Sequence, residues 1–140
     1  MTFFRDPLVS TVIGCAIEVH RVVGPGLLEP AYRPCLAREL KDKGLAFRTE
    51  VTIPLRYKGE LLDHSYRVDF LIEDWLIVEL KSVEKIVPVH VAQVATYLRL
   101  FGAKQGLIIN FNAPRLKDGL KSVLARDAIV DPVSDEDLKA

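Results

Sequence analysis

Apolar residues recur at helical spacing in two segments near the start of the chain. Over Val9–Val23 they fall at i, i+3, i+4 and i+7, and the sequence GPG at 24–26 ends the pattern. A second helix is predicted over Leu28–Lys43, with a glycine directly after it. Pro30 suits a first helical turn, whereas Pro34 is expected to bend this helix or delay its start.

The middle of the chain alternates between apolar and polar residues, a pattern typical of strands. The first strand is predicted over Phe47–Tyr57, the sequence KGE at 58–60 forms a hairpin turn, and Leu61–Ile72 is the return strand. A third strand follows over Leu76–Val83. Because side chains alternate across a strand, the return strand is expected to present an apolar face and an opposite, mostly polar face. These faces comprise Val68, Phe70 and Ile72, and Arg67, Asp69 and Leu71, respectively.

The last third of the chain predicts a helix, a strand and a final helix. Pro88 opens a helix that ends at Gly102, and the apolar run KQGLIINF at 104–111 is typical of a strand covered on both faces. A closing helix is predicted over Pro114–Ala125. The order α-α-β-β-β-α-β-α predicts an α/β domain in which a mixed central β-sheet is flanked by helices on both faces.

Length, charge and cysteine usage narrow the class of protein. The 140 residues suit one domain, expected over 1–126, and the acidic segment 127–140 forms a tail with five acids and one lysine. The net charge is zero, so no global basic signature indicates nucleic acid. Cys15 and Cys35 form no CxxC motif, which argues against a zinc ribbon or a disulfide scaffold. No secretory signal or membrane span is visible, and a cytoplasmic location is expected.

Two acids in neighbouring predicted strands carry the first chemical signal. A hairpin centred on Asp74 places Asp69 opposite Glu79, and Lys81 points the same way as Glu79. Adjacent carboxylates raise each other's pKa unless a cation lies between them. Oxygen ligands without histidine favour Mg²⁺ or Mn²⁺. Taken alone, however, Glu79 and Lys81 also fit an ordinary solvated strand surface.

Two further motifs flank this pair. Gly26, Glu29 and Tyr32 are spaced G-x-x-E-x-x-Y, and Gln93 lies four residues before Tyr97 on one helical face. Each has a simpler interpretation. An acid near a helix start stabilises the helix dipole, and a Gln/Tyr pair is common on a polar helix surface.

Together, these motifs in this order resemble the GxxExxY group of the PD-(D/E)XK nuclease superfamily. The similarity runs from about Ile13 to Phe111 and implies a restriction-endonuclease-like fold. It implies that Mg²⁺ (or Mn²⁺) is held by two strand acids, one helix acid and a backbone carbonyl, from Asp69, Glu79, Glu29 and Leu80. It further implies that Lys81 orients the attacking water or stabilises negative charge, and that Gln93 holds the lysine or the water.

The remaining residues of interest are nucleic-acid-binding or supporting candidates. The resemblance implies that Tyr97 contacts a phosphate or braces the site and assigns Tyr32 to its first motif. Arg67 fits either a phosphate contact or a salt bridge. Lys85 follows the third predicted strand, which carries Glu79 and Lys81, and could contact a nucleic-acid backbone there.

The function predicted from the sequence is a divalent-metal-dependent nuclease that hydrolyses phosphodiester bonds, with DNA favoured over RNA. A domain of this size would need a homodimer or a partner protein to supply specificity. Two alternatives stay open. One is a catalytically silent binding or accessory module on the same fold, and the other is a structural protein whose charges form surface pairs.

Overall fold

A six-stranded mixed β-sheet forms the centre of the molecule. The computed structural model describes residues 3–125, 130–132, 136 and 138. Its helices are α1 (Pro7–Val23), α2 (Glu29–Asp42) and α3 (Pro88–Phe101). Its strands are β1 (Phe47–Tyr57), β2 (Glu60–Ile72), β3 (Leu76–Lys81), β4 (Gln105–Asn110), β5 (Leu120–Leu124) and β6 (Val130–Pro132).

The strands lie in sequence order across the sheet. β3 and β4 are parallel and are connected through α3, while every other neighbouring pair is antiparallel. Two hydrophobic clusters cover the two faces. Leu76, Val78 and Leu80 pack with α1 and α2, whereas Ile77 packs with α3. The α/β class with helices on both faces is therefore confirmed.

Local chemistry explains where the helices begin and end. The Asp6 carboxylate accepts hydrogen bonds from the first backbone N–H groups of α1. Pro88 occupies the first turn of α3, and Gly102 ends that helix with a φ of 91°. The expected delay of α2 is wrong, because α2 starts at Glu29 and continues through Pro34. Pro34 lies in the second turn of α2, where it removes the hydrogen bond to the carbonyl of residue 30 and its ring crowds that carbonyl.

The predicted closing helix over Pro114–Ala125 is also wrong. A short 3-10 helix at Leu116–Gly119 leads into β5, which pairs antiparallel with β4. This pairing satisfies the second edge of β4, whose backbone groups would otherwise lack partners. The sheet then continues into Val130–Pro132, which pairs with β5 from within the acidic segment. None of the described helices is both long enough and apolar enough to cross a bilayer.

Candidate active site

Asp69 and Glu79 lie where β2 and β3 stop pairing. The last ladder pair is Phe70 with Val78, so the predicted register about Asp74 is confirmed. Beyond that pair, the side-chain carboxylates of Asp69 and Glu79 accept hydrogen bonds from backbone N–H groups of the neighbouring strand, in place of backbone carbonyls. The Asp69 N–H donates to Glu79 Oε1 at 2.7 Å, and the Leu80 N–H donates to Asp69 Oδ2 at 2.8 Å. We call this point the β2–β3 split. It fixes both carboxylates between the two strands.

At the level of the β2–β3 split, the apolar side chains of β1 and β2 change from one face of the sheet to the other. Phe70 packs against α1 and α2, but Val68 packs on the opposite face, with α3. The expectation that Val68 and Phe70 share a face is therefore wrong. In β1 the paired residues Thr49 and Val51 are separated by Glu50, which is unpaired and has a φ of 51°. No residue is inserted in either strand, because Thr49 pairs with Phe70 and Val51 pairs with Val68, so Glu50 lies opposite Asp69. Both strands change layers at the level of this interruption.

Asp69 and Glu79 are the two charged residues among the buried residues that the structure describes, with 8% and 7% exposure. Burial and the neighbouring Asp69 raise the pKa of Glu79 from 4.5 to about 8, while the Asp69 N–H and Lys81 oppose that rise. Two carboxylates that are removed from water and face each other are costly to ionise together, so Glu79 stays mostly protonated at neutral pH unless a cation joins the pair.

Glu29 adds a third acid from the first turn of α2. Burial and Asp69 raise the pKa of the half-buried Glu29 carboxyl, and Lys81 and Arg33 act in the opposite direction. Glu29 also contributes to the raised pKa of Glu79. Acids from three separate segments therefore act on one another, and the structure brings the four predicted residues Glu29, Asp69, Glu79 and Lys81 into one electrostatic neighbourhood.

Arg33 and Glu50 belong to this site but were not predicted from the sequence. Arg33 Nη2 lies 3.2 Å from Asp69 Oδ1, and Arg33 Nη1 lies 3.6 Å from Glu50 Oε1. Arg67 Nη1 also reaches Glu50 Oε1, at 3.7 Å. The sequence carried one usable signal, because Arg33 follows Glu29 by one helical turn and must share its face.

The backbone after Lys81 is held from several sides. The Phe111 N–H donates to the Lys81 carbonyl at 2.9 Å. The buried Asn110 side chain accepts from the Val83 N–H at 3.1 Å and donates to the Val83 carbonyl at 3.0 Å. The Ser82 hydroxyl donates to Leu27. These bonds connect the end of β3 to β4 and to the loop before α2. Asn110 was missed from the sequence, although a polar residue closing an apolar run was a signal.

The remaining predicted site residues differ in how deeply they are buried. Tyr97 is half-buried on α3; burial, followed by Glu79 and then Tyr66 and Asp69, raises its pKa. Gln93 and Lys85 are exposed. Tyr32 is fully buried, stacks on Phe111 and hydrogen-bonds the loop before α2 through its hydroxyl group. Tyr32 therefore cannot contact nucleic acid and is left with a supporting position.

The donor chemistry fits a hard divalent cation. Glu29, Asp69 and Glu79 carry carboxylate oxygens, and the backbone carbonyl of Leu80 lies next to Glu79 in the chain; all are the oxygen donors that such a cation prefers. In the arrangement observed, however, no group of three acidic, histidine or cysteine side chains among the described residues is positioned to hold a metal ion. Both Asp69 oxygens already have partners, the Leu80 N–H and Arg33. Because the acids are not gathered into a metal-holding group and the Arg33 guanidinium would repel a cation at Asp69 Oδ1, binding a metal would require these side chains to rearrange.

Comparison with known proteins identifies one family. The family model described as the PD-(D/E)XK nuclease superfamily matches residues 6–123, which include every element from α1 to β4 and nearly all of β5. No curated protein and no solved structure matches the chain. The family match covers the three acids, the lysine and the arginine described above.

Proposed function

Because the chain belongs to the PD-(D/E)XK nuclease superfamily, we propose that it is a divalent-metal-dependent nuclease that hydrolyses phosphodiester bonds, with DNA favoured over RNA. The observation that carries the proposal is the burial of Asp69 and Glu79 side by side at the β2–β3 split. Two adjacent buried carboxylates are costly to ionise together, and the described ion pairs of Arg33 include Asp69 but not Glu79. Such a pair is therefore best explained by a cation that the protein binds in use.

The proposed ligands are the carboxylates of Asp69, Glu79 and Glu29 and the carbonyl of Leu80. Mg²⁺ or Mn²⁺ bound there would neutralise phosphate charge and activate water. The spacing of Gly26, Glu29 and Tyr32 supports membership of the GxxExxY group.

Lys81 is the proposed charge-stabilising group. As a water oxygen bonds to phosphorus and the bond to the leaving oxygen breaks, negative charge grows on the phosphate oxygens. The Lys81 ammonium would stabilise that charge, and the leaving oxygen would take up a proton released from the water. Gln93 would orient the water or the lysine, and Tyr97 would brace the site or contact a phosphate. The effects of Glu79 and Asp69 on Tyr97 support its proximity to the acids.

The surroundings would serve binding and support. Arg67 and Lys85 are proposed to contact the nucleic-acid backbone, and Tyr32 to hold the loop before α2. The nuclease-like domain is proposed over 1–126, and the acidic segment 127–140 that follows it adds β6 to the edge of the sheet. We further propose a cytoplasmic location and a homodimer or partner protein that supplies specificity.

One observation favours a second candidate, a catalytically silent nucleic-acid- or protein-binding module on the same fold. Arg33 already neutralises part of the acidic charge, and the described carboxylates do not form a ready metal-holding group. An internal guanidinium that permanently replaced the metal would preserve the fold without turnover. The two candidates differ in whether the chain cleaves nucleic acid when divalent metal is supplied.

The test is cleavage of single- and double-stranded DNA and RNA with Mg²⁺ or Mn²⁺. We expect Asp69→Asn and Lys81→Met to abolish cleavage while circular dichroism and melting show an intact fold. Matched controls are Asp42→Asn and Lys41→Ala. They change exposed residues in the last turn of α2, at the other end of the helix from Glu29. Equal cleavage by Asp69→Asn and wild type would refute the assignment. Mn²⁺ binding without cleavage of any substrate would favour the silent module.

A further inference from the structure

Arg33 places a positive charge beside the acids. Its guanidinium lies 3.2 Å from Asp69 Oδ1 through Nη2 and 3.6 Å from Glu50 Oε1 through Nη1. The side chain is 27% exposed, so the pair with Asp69 is shielded from most solvent. Its Nε is buried and has no hydrogen-bond partner among the residues that the structure describes. The observed position therefore satisfies the charge of Asp69 but leaves one donor of the guanidinium unpaired.

The oxygen atoms of Asp69 explain why this position matters. Asp69 Oδ2 accepts the Leu80 N–H, which replaces a bond of the β2–β3 ladder. Asp69 Oδ1 is thus the oxygen free of backbone bonds, and Arg33 occupies it. A divalent cation bound by Asp69 would use the same oxygen and would be repelled by an adjacent guanidinium. Arg33 and the cation therefore compete for one ligand atom.

Glu50 provides a second partner for Arg33. Its left-handed backbone conformation, with a φ of 51°, lies at the level where β1 and β2 shift between layers. The Glu50 carboxylate, half exposed, is within ion-pair distance of both Arg33 and Arg67. A guanidinium leaving Asp69 can therefore remain paired by turning fully onto Glu50, with little movement of α2.

From these contacts we infer that Arg33 is an internal counter-cation that occupies Asp69 in the metal-free protein and moves onto Glu50 when a divalent cation binds. Arg33 is thus a positioning residue that sets the metal affinity of the site. This inference rests on the proposed function, because it assumes that the acids bind a metal. It goes beyond that function by naming the groups that control metal entry.

The experiment is calorimetric titration of the full chain with Mn²⁺, without nucleic acid. Arg33→Met removes the competitor and is expected to tighten Mn²⁺ binding about tenfold, the factor that corresponds to an ion pair of about 1.4 kcal/mol. Glu50→Gln removes the second partner and is expected to weaken binding. In the Arg33→Met background, Glu50→Gln is expected to have a much smaller effect, because no guanidinium remains to be relocated.

The control is Arg38→Met, which removes the same charge from an exposed position on α2, where Arg38 pairs with Asp42. It is expected to leave the Mn²⁺ affinity unchanged. Circular dichroism of each variant verifies the fold, and Arg33→Gln, which also removes the charge, replaces Arg33→Met in the same comparisons if Arg33→Met does not fold.

The outcomes separate the inference from the proposed function. Wild-type protein that binds Mn²⁺ with the same affinity as Arg33→Met overturns the role of Arg33 and leaves the metal site standing. Equal effects of Glu50→Gln in both backgrounds also overturn it, since they indicate a general charge effect. Binding by Arg33→Met but not by wild type supports the inference strongly. Absence of Mn²⁺ binding in wild type and every variant refutes the proposed metal site and the inference with it.

Discussion

Replacing Glu79 with glutamine should stabilise the metal-free protein at neutral and alkaline pH. Glu79 is buried at the β2–β3 split, where its Oε1 accepts the Asp69 N–H at 2.7 Å. Glutamine has nearly the same shape, and its carbonyl can accept the same bond. The substitution therefore removes the charge while it keeps the packing and the hydrogen bond.

The magnitude follows from the raised pKa. Burial and Asp69 raise the pKa of Glu79 from 4.5 to about 8. The Glu79 carboxyl therefore binds its proton more tightly in the folded protein than in the unfolded chain. The stability that this difference gives the wild-type protein is complete below pH 4.5 and is lost as the pH rises through about 8. That interval corresponds to on the order of 4 kcal/mol. Because water can enter at the split as the group ionises, we expect the advantage of Glu79→Gln to grow by about 2 kcal/mol or more over this window.

The assay is urea unfolding in the presence of a chelator at several pH values from 4.5 to 9. The fluorescence of Trp75, the single tryptophan, reports the transition from the turn between β2 and β3. An exposed control, Glu84→Gln, should stay within about 0.5 kcal/mol of wild type at every pH. A difference between Glu79→Gln and wild type that does not change with pH, or a variant that is less stable at pH 8, would refute the reasoning.

Four further predictions concern the stability of the scaffold. Gly119→Ala should lower the free energy of unfolding by about 1–3 kcal/mol, because the added Cβ would overlap the Asn110 carbonyl. Gly14→Ala should instead raise the free energy of unfolding by about 0.5–1 kcal/mol, because this position in α1 has open space for a Cβ. The same urea assay measures both variants. Tyr32→Phe should cost about 1–3 kcal/mol in chemical denaturation, since the buried hydroxyl serves two backbone groups of the loop before α2; unchanged stability would contradict that assignment. Asp6→Ala should cost about 1 kcal/mol through loss of the α1 cap, measured by thermal melting, with Asp6→Asn retaining most of it.

The hydrophobic pattern of the sequence was sufficient for most of the fold. Its helical spacing predicts α1, α2 and α3, and its alternation predicts β1, β2 and β3 with the register about Asp74. The order of motifs also indicated the nuclease superfamily before any geometry was known. These features are local or depend on neighbouring segments, so the residues that determine them lie close together in the chain.

Tertiary contacts decided the rest. Residues 114–125 form a 3-10 turn and β5, because pairing with β4 satisfies an open sheet edge more effectively than a helix could. Likewise, β1 and β2 change layers at the level of Glu50, which has a left-handed backbone conformation, so simple alternation does not hold across that level. The contact between Arg33 and Asp69 joins residues 36 positions apart. The sequence by itself therefore predicted the three acids and the lysine that the structure brings close enough to act on one another. Only the packing of α2 against the β2–β3 split decided that an arginine lies among them, because that contact depends on how distant elements meet.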